Sequence, residues 1–369
     1  MERIRSFPGI SPSAWEHPAD RAALAAFSSL PLAGELLRRV VGSTTERSMR
    51  LAALANSARA NEGQFASIHA VMKSMAGRLD LSPLPELYIR LDPAPDARTL
   101  GVDRPFIVLS SGALDLWDEE ELGCVLAHEL GHVLSGHAVY KTLLSLLIQA
   151  SAMLAGGLPL AGAAVAAASA ALKEWDRKSE LSADRAALLA VQDAPLVFRC
   201  LMKSAAGPRI GQMDLNEFFR QARDYDASRE GLDSLFKFLD LMDETHPFPV
   251  SRMTALQEWE KSPAFAAILA GDYPKRGAEG ERDPSRDFKS AGEAYSAEFS
   301  ASQDPLSQAA GKVMDALNGL FGQREAGRRP GEGRAEGGAA GGDSSAERAA
   351  QSIEEAIDRI FGRRPDGGA

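Results

Sequence analysis

The sequence predicts a mostly helical α+β protein, and three observations carry that expectation. Apolar residues recur at helical spacing along much of the chain up to Leu269. Two short runs, Glu86-Leu-Tyr-Ile-Arg90 and Pro105-Phe-Ile-Val-Leu-Ser110, have strand composition, with the turn residues Asp92, Pro93, Pro95 and Asp96 between them. Just after the second run, Val125-Leu-Ala-His128-Glu129-Leu-Gly-His132-Val133 reads H-E-x-x-H inside a helical pattern. The expected arrangement is a small antiparallel sheet beside the H-E-x-x-H helix.

Composition sets the bounds. The chain has 369 residues, 25% of them charged and 45% hydrophobic, which is enough for a large core plus appendages. A net charge of -10 argues against a broad nucleic-acid surface, so no nucleic-acid partner is expected. The two cysteines, Cys124 and Cys200, both lie in apolar helical patterns, which reads as buried free thiols in a reducing compartment. The opening Met1-Glu-Arg-Ile-Arg-Ser-Phe-Pro lacks a continuous apolar run, so no secretory leader is expected. These features point to the cytoplasm, with membrane association open.

Residues 1–45 read as a helical extension, with apolar-periodic runs at Ala19–Leu30 and Leu32–Val41 split by Pro31. One longer helix is expected from about Thr45 to Leu79, with Leu51, Leu54, Phe65, Ile68, Val71 and Met72 on its apolar side. His69 within it reads as packed or solvated. The second β run could leave an open edge along a cleft, where an extended peptide would add as a further strand.

The metal motif follows from helix geometry. His128 and His132 lie four residues apart, hence on one face, and can grip one metal ion. Glu129 projects beside that ion, where a carboxylate can take a proton from water. Asp118-Glu-Glu-Glu121 supplies an acidic helix start ahead of the apolar Leu122, Val125, Leu126 and Leu130. His137 is nine residues after His128, about half a turn out of phase if the helix continues, so it is expected to support the site or the fold rather than to ligate.

Thr142 to Leu172 contains no charged residue, but Gly156-Gly-Leu-Pro159 breaks it near the middle. Each half is shorter than the roughly twenty residues a spanning helix needs, so a helical hairpin packed on the metal helix is expected. Shallow insertion into one leaflet remains the alternative. Next comes Glu174-Trp-Asp-Arg-Lys-Ser-Glu180-Leu-Ser-Ala-Asp184. A tetrahedral zinc needs a third protein ligand, for which Glu180 is the candidate. Asp184, one turn further on the same face, can orient a ligand by hydrogen bonding. Spacing alone does not choose Glu180 over Glu174 or Asp176.

Asp193-Ala-Pro195 starts another helix that Gly207-Pro208 ends, and Leu215–Ala227, Leu232–Met242 and Arg252–Lys261 read as further helices. A short apolar segment then runs to Leu269. From about Lys275 the composition shifts to Gly, Ser, Arg, Glu and Asp. Val313–Gly322 and Ile353–Gly362 match in apolar pattern at a spacing of forty residues. They read as two short amphipathic helices suited to a partner or a membrane surface. The expected organisation is therefore an extension at 1–45, a catalytic domain at 46–274 and a low-complexity tail at 275–369.

H-E-L-G-H-V-x-x-x-H, an apolar hairpin, then E-x-x-x-D, together resemble the HtpX-like and CAAX-prenyl-protease-like zinc metallopeptidases of the gluzincin class. Thr245-His246-Pro-Phe-Pro-Val-Ser-Arg252-Met is similar to that family's downstream signature. The likeness covers roughly residues 50–273. It implies a zincin-type metallopeptidase domain with one Zn2+ per chain, held by His128, His132 and Glu180. It implies Glu129 as general base, Asp184 as a carboxylate supporting the metal ligands, and His246 and Arg252 beside the cleft as catalytic residues. The implied substrate is a protein or peptide, and the implied reaction is hydrolysis of an internal peptide bond. Asp96-Ala97 stands where the family often has an asparagine–alanine pair. Membrane contact, if any, is expected through 142–172 or the tail helices. Three rivals stand beside this reading: a catalytically silent metal-binding scaffold, a membrane-inserted protease of the same chemistry, and a zinc hydrolase acting on a non-peptide amide.

Overall fold

The computed structural model describes residues 4–28, 45–154, 159–227 and 249–277. Helices dominate, as the apolar periodicity predicts. In chain order they are α1 (Pro18–Ser28), α2 (Thr45–Asn56), α3 (Ala66–Arg78), α4 (Ser111–Leu116), α5 (Glu119–Leu134), α6 (Ala138–Leu154), α7 (Pro159–Val191), α8 (Ala194–Ala206), α9 (Leu215–Ala227), α10 (Pro249–Glu260) and α11 (Pro263–Ala270). The strands are β1 (Ser57–Ala60), β2 (Glu86–Arg90), β3 (Ala97–Leu100) and β4 (Phe106–Ser110). The expected Leu232–Met242 helix, His246 and both tail helices lie outside the described residues.

The sheet is mixed rather than antiparallel. Its order is β1-β2-β4-β3, with β2 and β4 parallel and the two outer pairings antiparallel. The reason is β3, too short and too polar to read as a strand in the sequence. It carries the chain back along β4, so β4 runs in the same direction as β2. The parallel pair sets Leu87 against Ile107 and Ile89 against Leu109, all four buried. Because β4 is flanked on both sides, the edge strands among the described residues are β1 and β3, and the Pro105–Ser110 run is not an edge.

The single helix expected from Thr45 to Leu79 is two helices with a strand between them. Ser57–Ala60 pairs with Leu87–Arg90, so its backbone groups are used in the sheet. The Asn61 side chain accepts from Gly63 N at 2.8 Å and closes a tight turn. Phe65 then adopts φ 52, which breaks the helical path before α3 restarts. Sheet pairing overrides helical propensity here.

The core is shared along the whole described chain. Phe7, Ile10 and Trp15, from the stretch read as an extension, are buried in the same cluster as Leu126, Leu130 and Leu189. Ser11 N donates to Pro274 O at 2.9 Å, so the two ends of the described chain meet.

Two features place α5. Its acidic start is a capping box: Asp118 Oδ1 accepts from Glu121 N and Glu121 Oε2 accepts from Asp118 N, both at 3.0 Å. The buried Glu121 carboxylate is also held by Arg199 Nε at 3.0 Å and Lys203 Nζ at 2.6 Å, which ties α5 to α8. Gly131 then lets α7 come close. A Cβ at Gly131 would lie 2.6 Å from the Ala186 Cβ. The apolar stretch forms α6 and the first half of α7, and α7 continues unbroken through Glu180 and Asp184. Among the described residues, no helix is long and apolar enough to cross a membrane.

Candidate active site

The α5–α7 contact brings the expected residues together. His128 and His132 project from α5 toward Glu180 on α7. His128 Nε2 lies 3.1 Å from Glu180 Oε2, and His132 Nε2 lies 3.2 Å from Glu180 Oε1. The two Nε2 atoms are 3.2 Å apart. A tetrahedral metal with bonds of about 2.0–2.1 Å has ligand-to-ligand edges of about 3.3 Å. The donor set therefore fits one small divalent ion: two imidazole nitrogens and one carboxylate, all within 4.8 Å of one another. Asp176, which spacing left open, is turned to Lys141 instead, at 2.7 Å.

Each member is electrostatically conditioned. Burial would lower the His128 imidazole, but Glu180 and Asp184 outweigh it and raise it to about 10. Burial, with Lys141 adding to it, holds His132 well below its ordinary value and therefore neutral. Burial opposes ionisation of Glu180, yet Lys141 and His128 hold its carboxyl well below the usual range. Lys141, the residue just before the uncharged Thr142–Leu172 stretch, is a partner that the sequence motifs do not single out. Its part-buried ammonium donates to Glu180 Oε1 at 2.8 Å. A helical hairpin that must fold back on α7 gives the only hint that its first residues face the site.

Glu129 is 4% exposed, and burial raises its carboxyl above the ordinary value. Its Oε2 accepts from Thr99 Oγ1 at 2.7 Å. Thr99 lies on β3, the strand that composition did not reveal, so this partner was missed as well.

Asp184 sits behind His128, with Oδ1 3.0 Å from Nδ1. Arg252 Nε donates to Asp184 Oδ2 at 2.7 Å, and a second guanidinium nitrogen reaches Oδ1. Burial pushes the Asp184 carboxyl up, but Arg252 and His128 outweigh it and hold it down. Arg252 Nη1 also lies 3.3 Å from Glu180 Oε2. The Arg252 side chain is 10% exposed and pairs with these two carboxylates. His246 is not among the described residues. His137 lies behind His132, its Nδ1 2.9 Å from the His132 Nδ1, outside the donor cluster.

A buried carboxylate beside a two-histidine, one-carboxylate cluster that could hold a metal, on a helical core with a small sheet, is the arrangement of a metallopeptidase. Comparison with known proteins gives the family. The model for peptidase family M48 matches residues 62–260. Over 269 residues the chain is 33% identical to the plastoglobule-localized metallopeptidase 48, chloroplastic, of Arabidopsis thaliana, covering 71% of this chain and 77% of that one. A protease HtpX homolog of Tropheryma whipplei (strain Twist) is 47% identical over 53 residues, 14% of this chain and 18% of its own. A protease HtpX homolog of Desulfatibacillum aliphaticivorans is 36% identical over 75 residues, 20% of this chain and 24% of its own. No solved structure shows a significant match. The chain belongs to peptidase family M48.

Proposed function

We propose that this peptidase is a zinc-dependent endopeptidase with one Zn2+ per chain, held by His128, His132 and Glu180. The observation that carries the reading is the convergence of those three donors at 3.1–3.2 Å beside the buried Glu129. Two nitrogens and one oxygen suit zinc among the common divalent ions. When bound there, zinc supplies a water of lowered pKa and polarises the scissile carbonyl. Glu129 takes the proton of the attacking water and passes it to the leaving amine. Its raised pKa suits both directions of that transfer. Asp184 fixes the orientation of the His128 ring, and Arg252 fixes Asp184. His246 is the candidate donor to the oxyanion that develops on the substrate.

The substrate is a protein or peptide bound in extended form along β3. Among the described residues β3 pairs on one side only, with β4. We place the enzyme in the cytoplasm, with a membrane surface as a second site of action. Ile148, 38% exposed on α6, gives the 142–172 hairpin one apolar contact point for it.

The test is metal content by mass spectrometry, together with casein cleavage, on wild type and Glu129→Gln. Zinc in both and cleavage only by wild type is the expected result. No metal in either, after zinc was supplied, overturns the reading.

A further inference from the structure

The rear of His132 carries a second chain of buried polar groups that leads to the N-terminal helix. The His132 Nε2 faces the His128 and Glu180 donors, so its lone pair points at the metal position. A neutral ligating imidazole then carries its proton on Nδ1. That atom lies 2.9 Å from His137 Nδ1, which must accept. His137 therefore carries its own proton on Nε2, which lies 3.1 Å from Asp20 Oδ2. Asp20 has two further donors, Ser182 Oγ to Oδ2 at 2.6 Å and Trp175 Nε1 to Oδ1 at 2.9 Å. Only one assignment of protons satisfies the whole run: Asp20 accepts from His137, and His137 accepts from His132.

The run is closed to solvent. His132 is 1% exposed, and His137 and Asp20 are each 2% exposed. It is also held from outside. Gly136 takes φ +70 after the end of α5, and His137 N donates to His132 O at 3.0 Å, which folds the second ring against the first. Trp175 meets the His137 ring edge-on at 5.4 Å. Asp20 lies on α1, outside the residues 62–260 that match the family model.

We propose that Asp20 and His137 are positioning residues of the metal site, a relay that locks His132 as an Nε2 ligand. This rests on the reading of His128, His132 and Glu180 as the metal ligands. Each histidine ligand then ends on a buried carboxylate. His128 reaches Asp184 directly, and His132 reaches Asp20 through His137. Partners that orient a ligating histidine are commonly worth 10–100-fold in metal affinity. The N-terminal segment is on this account a working part of the site.

The experiment uses the full chain and zinc itself, with affinity read by chelator competition. The variants are Asp20→Asn, His137→Phe, their combination, and Phe27→Leu as a control. Phe27 is buried on α1, where its ring meets Tyr140. The expected result is roughly a 10-fold or greater loss of zinc affinity for each relay variant, no further loss in the double variant, and none in Phe27→Leu. Losses that follow thermal stability across all four would reduce the relay to packing and overturn the proposal. Tight zinc in wild type and unchanged affinity in Asp20→Asn would overturn it alone, whereas absence of zinc from wild type would overturn the metal site as well. Histidine nitrogen NMR on wild type needs no variant. His132 must carry its proton on Nδ1 and His137 on Nε2, and the opposite pair of tautomers would also overturn the relay.

Discussion

Thr99 Oγ1 donates to Glu129 Oε2 at 2.7 Å, with the Glu129 backbone oxygen 3.1 Å away. Thr99 is 1% exposed, so water does not compete for its hydroxyl. The edge strand proposed to receive an extended substrate thus also holds the Glu129 carboxylate. If a peptide adds along β3 as proposed, one short element would hold both it and Glu129, and their alignment would follow from the pairing of β3 with β4.

Thr99→Val keeps the shape of the side chain and removes the donor. A hydrogen bond to a charged group is worth about 1.5–3 kcal/mol, so kcat should fall roughly 10–100-fold. Metal content should not change, because the Thr99 hydroxyl bonds to Glu129 rather than to His128, His132 or Glu180. Thr99→Ser should keep most of the activity. Steady-state kinetics on a peptide reporter decides it, and an unchanged kcat in the valine variant would remove Thr99 from the account.

Arg252 is expected to matter through Asp184. Truncating it to Met leaves a buried carboxylate without its cation, which costs about 3–5 kcal/mol. Urea unfolding of the metal-free chain should show that loss. Adding Asp184→Leu should recover part of the stability, since the stranded charge is gone, but zinc affinity should fall further because His128 has lost its partner. Arg252→Lys should not rescue, because an ammonium cannot span Asp184 and Glu180 as the guanidinium fork does. A double variant with wild-type zinc affinity would contradict the positioning role.

How far the sequence reveals this site depends on whether its geometry is local. The His128–Glu129–His132 spacing is a property of one helix and is legible before folding. Glu180 was one of three acidic candidates until α7 packed on α5 and turned Asp176 toward Lys141. Thr99, Lys141 and Asp20 carry no motif at all. Each reaches the site through a tertiary contact, from an edge strand, the start of α6 and the N-terminal helix in turn. The strand inside the expected Thr45–Leu79 helix was hidden for the same reason, because Ser57–Ala60 becomes a strand only against β2.

The α5–α7 approach gives a third prediction. A methyl at Gly131 would meet the Ala186 Cβ at 2.6 Å and must push the two helices apart. Gly131→Ala should therefore cost about 1–3 kcal/mol by overpacking and should weaken zinc binding, since Glu180 would draw back from His128 and His132. Ala186→Gly in the same chain should restore much of the zinc affinity. Thermal melts and chelator competition on both variants test this, and equal zinc affinity in Gly131→Ala and wild type would show that the helix spacing is not limiting.

The last prediction concerns acid stability. His17 Nδ1 accepts from Ala19 N at 3.1 Å and caps the start of α1, a role open only to the neutral ring. Burial, with Arg185 and Lys178 adding to it, pushes the His17 imidazole down to about 4 from its ordinary 6.5. The folded chain therefore binds fewer protons at this site than the unfolded chain. Its contribution is fully present above pH 6.5 and is lost as the pH falls from 6.5 to about 4. Allowing for the partial exposure of the ring, the loss should be on the order of 1–2 kcal/mol across that window. His17→Asn keeps a capping acceptor without a titrating group. Urea midpoints from pH 7 down to pH 5 should fall more steeply for wild type than for the variant, and parallel curves would show that His17 does not set this slope.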